Sequence, residues 1–107
     1  MVRMNKYSYV VYQSHTAKPI GYEPKQKMYA VWRDQAQGET IDLVLEDIFN
    51  TYQYNQDPDG IYEGRNMLPG DVVGIMTVGM RRPVFYLCKT DGWDMLMPHE
   101  HPTMVDA

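Results

Sequence analysis

With 107 residues, 44% of them hydrophobic and 22% charged, the sequence has room for one domain with one core, and its composition excludes a disordered chain. The single cysteine, Cys88, excludes an intramolecular disulfide, and no apolar run approaches the length that a membrane span needs. Met1-Val2-Arg3-Met4-Asn5-Lys6 lacks the apolar stretch of a secretory leader, so the expectation is a protein of a reducing cytoplasm, its own or a host's, with no membrane partner.

The net charge of −4 is less informative than its distribution. Residues 1–33 hold six bases against one acid, Glu23. Residues 34–63 hold eight acids (Asp34, Glu39, Asp42, Glu46, Asp47, Asp57, Asp59 and Glu63) and neither lysine nor arginine. The remaining residues are close to balanced. Nine tyrosines and nine methionines are many for this length. Both types suit adaptable contact surfaces and equally suit an irregular small core.

Along the chain, Lys6–Gln13 is rich in β-branched and aromatic residues and predicts a first strand. Pro19, Gly21 and Pro24 mark residues 14–25 as a loop, and Lys27–Arg33 predicts a second strand antiparallel to the first. Gly38 marks a turn. From Thr40 to Tyr52 the apolar residues Ile41, Val44, Leu45, Ile48, Phe49 and Tyr52 recur at helical spacing, with Thr40 as N-cap. Glu39 and Asp42 fall where the helix dipole favours negative charge. Glu39, Asp42 and Glu46 share one sector beside the apolar stripe, and Asp47 lies on the other flank. Residues 55–60 are turn chemistry throughout. Pro69-Gly70 launches a strand over Val72–Val78, and the loop at residues 79–83 returns the chain into Val84–Lys89 as a hairpin. A turn at Thr90-Asp91-Gly92 leads to a short strand from Trp93 to Met97, and residues 98–107 read as a flexible tail. The expected fold is α+β: an antiparallel sheet of four or five strands with one principal amphipathic helix packed on it, filling residues 1–97.

The order of three short motifs resembles the YodL-like domains of phages, plasmids and conjugative elements. These are Ile48-Phe49-Asn50 at the end of the helix, the stretch from Gly64 to Val73, and Thr90-Asp91-Gly92-Trp93. Met67, Pro69 and Trp93 depart from the usual pattern. The resemblance implies an accessory protein that helps foreign DNA survive in a host. It implies no catalytic residue, and association of this kind does not dictate function.

The residues themselves point to binding. Asp57-Pro58-Asp59-Gly60 echoes a calcium loop, but the proline and the missing later glutamate make it a turn. His99-Glu100-His101 supplies too few ligands for zinc. No nucleophile–base motif, phosphate loop or dinucleotide fingerprint is present, so no enzyme, metal or cofactor is expected. Glu39, Asp42, Glu46, Asp47, Asp57 and Asp59 instead suggest a carboxylate surface that mimics phosphates and occupies a basic nucleic-acid-binding groove on a bacterial defence enzyme. Arg81 and Arg82, at a hairpin tip, would add a second contact; direct nucleic-acid binding is not expected. Two alternatives stay open. One is a small-ligand binder, such as a sponge for a nucleotide signal, with tyrosines stacking on a base and Arg33 or Arg65 holding phosphate. The other is a structural interaction module, with a homodimer through exposed tyrosines.

Overall fold

The computed structural model describes residues 5–14, 25–53, 67–77 and 82–105. Its elements are strands β1 (Asn5–Gln13) and β2 (Lys27–Gly38), helix α1 (Ile41–Gln53), and strands β3 (Val72–Thr77), β4 (Val84–Lys89), β5 (Gly92–Met95) and β6 (Thr103–Val105). The strands form one mixed, curled half-barrel in the order β5-β4-β3-β1-β2-β6. No helix among the described residues is long and apolar enough to cross a membrane.

This architecture corrects the fold expected from sequence. Among the described residues the sheet has six strands rather than four or five antiparallel ones, β6 pairs with β2 in parallel, and the single α-helix is short against a structure that is mostly sheet. The reason lies in residues 98–105, read from sequence as part of a tail. They form a 3₁₀ turn at Pro98–Glu100 followed by β6. A proline at the first turn of a helix gives up an amide that has no partner there, so Pro98 starts structure instead of ending it. Glu100 Oε1 then accepts the Met97 amide at 3.0 Å.

The C-terminal segment runs from the β5 edge to the opposite edge of the sheet. Leu96 donates its amide to the Phe85 carbonyl at 2.8 Å, and the His101 ring sits 4.6 Å from that of Phe85. The His101 carbonyl accepts the Lys25 amide, and the Thr103 amide donates to Gln26. This crossing covers a second core of Tyr12, Met28, Val72, Phe85 and Leu96. Gly74 lets Tyr12 and Phe85 close over β3: a Cβ there would lie 3.1 Å from the Phe85 ring and 3.3 Å from that of Tyr12.

The other face of the sheet holds the larger core. Tyr7, Tyr9 and Val11 of β1 and Val73 and Ile75 of β3 meet Val44, Leu45, Ile48 and Tyr52 of α1. Burying each aliphatic side chain contributes about 1.5–3 kcal/mol. Thr40 Oγ1 accepts the Leu43 amide at 3.3 Å and caps α1 as the sequence predicts. Gly38 gives the helix its close approach, because a Cβ there would stand 2.6 Å from Val44 Cγ2. At the far end of α1 the Tyr52 hydroxyl meets that of Tyr9 at 2.8 Å, and Trp32 packs on Tyr52.

A bulge in the β1–β2 ladder decides which residues of β2 serve which core. Val11 pairs with Trp32 but Tyr12 pairs with Ala30, leaving Val31 as the extra residue. Val31 and Trp32 therefore pack on the helix side, and Met28 and Ala30 on the other.

Candidate functional site

Helical geometry places Asp42, Glu46 and Phe49, at i, i+4 and i+7, along one side of α1. That side faces the β4–β5 hairpin, and the two walls enclose a groove of about 410 Å³. The far wall is built from Cys88, Lys89, Thr90, Asp91, Gly92 and Trp93. The antiparallel pairing of Cys88 with Trp93 and of Lys89 with Gly92 holds this turn in register, and Gly92 adopts a φ of 150°. Phe49 and Trp93 are partly buried and supply aromatic wall, whereas Asp42, Glu46 and Asp91 are exposed. Among the described residues the groove thus gathers three carboxylates against one ammonium, Lys89, which itself pairs with Asp94 at 3.1 Å. The Asp94 hydrogen bond and charge, with Asp91 behind them, raise the Lys89 pKa and hold the amine charged.

The field of the groove reaches its neighbours. Burial first, and then the charges of Asp42 and Tyr7, raise the Tyr86 pKa. Cys88 lines the groove but is almost wholly buried, and desolvation with the nearby Asp71 carboxylate pushes its thiol up to about 12. A thiol so protonated is a poor nucleophile. Among the described residues, no group of three His, Cys, Asp or Glu side chains is placed to hold a metal ion.

Of the residues singled out from sequence, the fold brings Asp42 and Glu46 together on one wall. Glu39 is exposed just before the helix, where its carbonyl accepts the Asn5 side chain, and Asp47 is exposed without lining the groove. Arg82 is exposed at the approach to β4 and does not join them. Asp57, Asp59, Arg65 and Arg81 lie outside the described residues. Arg33 lines a different groove, of about 490 Å³, with Ser8, Val10, Tyr12, Gly74 and Met76 among its neighbours. Sequence reasoning missed Asp91 and Trp93 as site residues. Thr90-Asp91-Gly92 announced only a turn, and no local signal tells which helix a turn will face.

Comparison of the chain with family models, with curated proteins and with solved structures finds no match.

Proposed function

We propose that this protein acts by stoichiometric binding, as an accessory factor of a phage or mobile element that blocks a bacterial defence enzyme of restriction or CRISPR type in the host cytoplasm. The observation that carries this reading is the groove between α1 and the β4–β5 turn. Carboxylates from two distant segments, Asp42 and Glu46 on the helix and Asp91 on the hairpin, converge there instead of scattering over the surface. Such a field attracts a basic nucleic-acid-binding surface and competes with phosphates for it. The resemblance to YodL-like domains supports the setting. Two of its motifs, Ile48-Phe49-Asn50 and Thr90-Asp91-Gly92-Trp93, contribute residues to opposite walls of this groove.

The test is capture from a bacterial lysate with the wild type beside an Asp42→Lys, Glu46→Lys double variant, at low and at high salt. Both positions are exposed, so the substitutions remove no core contact, and circular dichroism checks that the variant folds. A nucleic-acid-processing enzyme held by the wild type, inhibited by it one to one, and lost on charge reversal or in high salt is the expected result. Equal capture and inhibition by the double variant would refute the proposal.

A second reading, a small-ligand sponge, draws on the other groove, which Arg33 and Tyr12 line together with Asp34 and Gly74. Arginine beside an aromatic ring suits a phosphorylated heterocycle. Under this reading a cyclic dinucleotide or nucleotide raises the melting temperature of the wild type but not of an Arg33→Ala variant. No shift with any member of such a panel counts against it.

A further inference from the structure

We propose that the groove between α1 and the β4–β5 turn receives an arginine side chain from the partner. The inference rests on the reading of this groove as the partner-facing surface and names the chemistry of what enters it. The walls combine two features that lysine, a metal ion and an apolar side chain each satisfy only in part. Phe49 and Trp93 offer aromatic surface within the groove, and Asp42, Glu46 and Asp91 place carboxylates around it. A guanidinium is planar and weakly hydrated, so it stacks on an aromatic face while its edges donate to carboxylates in a fork. A lysine ammonium is a compact, strongly hydrated point charge and gains less from the rings. A hard metal ion takes oxygen ligands and gains nothing from Phe49 and Trp93. Among the described residues the one cation on the walls, Lys89, is bound by Asp94, which leaves the field they set up negative. The volume of about 410 Å³ falls at the small end of ligand clefts, which run from about 300 to 1,000 Å³, and suits a side chain rather than a whole helix.

The experiment titrates the full chain with the capped tripeptide Gly-Arg-Gly, followed by heteronuclear NMR. Parallel titrations use the lysine peptide and the citrulline peptide, a neutral isostere of the first. The expected result is a saturable shift of the Trp93 indole N–H and of the amides of residues 88–92 with the arginine peptide. The lysine peptide should bind at least severalfold more weakly, and citrulline should give no shift. Replacing Asp42→Asn and Glu46→Gln together, which removes charge at exposed positions and spares the aromatic walls, should weaken binding roughly fivefold, as the loss of two exposed ion pairs implies. Equal shifts from citrulline or lysine, or an unmoved Trp93, overturn the proposal. The outcomes separate the two levels of the argument. If charge reversal abolishes capture of the partner while the arginine peptide leaves Trp93 unmoved, surface binding stands and arginine insertion falls. If the peptide saturates the groove while the reversed variant still captures and inhibits the same target, the groove chemistry stands and the inhibitor reading falls.

Discussion

Asp71 illustrates what a single residue carries in a domain of this size. It is fully buried, and its Oδ2 accepts the Gln13 side-chain amide at 3.1 Å and the Leu68 backbone amide at 2.9 Å. Its carbonyl accepts the Cys88 amide, while Gly70, at a φ of 102°, donates to the Cys88 carbonyl. One side chain thus ties the turn before β3 to the end of β1, and its backbone ties the same turn to the end of β4. An Asp71→Ala substitution takes this acceptor from the buried Gln13 side chain and the partly buried Leu68 amide, and the expected loss is about 2–4 kcal/mol. Urea midpoints of the two proteins measure it, and a loss under about 1 kcal/mol would show that the carboxylate is dispensable. The sequence marks Pro69-Gly70-Asp71 as a turn, which is right as far as it goes. That the carboxylate points inward depends on Gln13, 58 residues away in sequence, and no local pattern reports such a pairing.

Among the elements, β1, β3 and β4 lie close to where alternation and β-branched residues place them, and α1 follows its helical stripe. These elements are legible because each is long enough to repeat its own period. The C-terminal crossing was not. A three-residue strand has no period, and Pro98 and Pro102 look like breakers when read alone. In the fold, Pro98 opens the 3₁₀ turn, Pro102 is buried, and Thr103 Oγ1 donates to the Lys25 carbonyl at 2.8 Å. Deleting residues 98–107 should therefore uncover Phe85 and Met28 and free the edge of β2. The expected outcome is a destabilisation of more than about 3 kcal/mol, as for the loss of a large buried aromatic contact, with faster hydrogen exchange at Lys27, Met28 and Tyr29. Unchanged stability and exchange would show that the segment merely lies on the surface. The bulge at Val31 is the other element-level surprise. Strand parity alone would set Met28, Ala30 and Trp32 on one face, but one extra residue sends the first two to the opposite core.

At the scale of the whole molecule, the buried titratable groups set a pH limit. Desolvation raises the pKa of Tyr9, Tyr52 and Tyr86 above the ordinary value of 10.0, and that of Cys88 from 9.0 to about 12. A group whose folded pKa is raised contributes stability in full below its unfolded value and loses it as pH climbs toward the folded one. Cys88 therefore begins to destabilise the fold near pH 9, and the tyrosines follow above pH 10. Denaturant midpoints across this range should fall progressively, whereas a level curve to about pH 11 would contradict the burial of these groups. In the same way, the tertiary arrangement determines what the charges can do. Local patterns in the chain sufficed for an amphipathic helix from about Thr40 to Tyr52 set among strands, and for the crowding of acids in residues 34–63, because composition and short periods are local properties. The fold alone closes the second core with β6 in parallel to β2. It alone set Asp42 and Glu46 across a groove from Asp91 and Trp93, and sent Arg33 to another groove. Those outcomes depend on contacts between segments far apart in the chain, which form where buried apolar area and satisfied backbone groups agree, and no short window of sequence contains both partners.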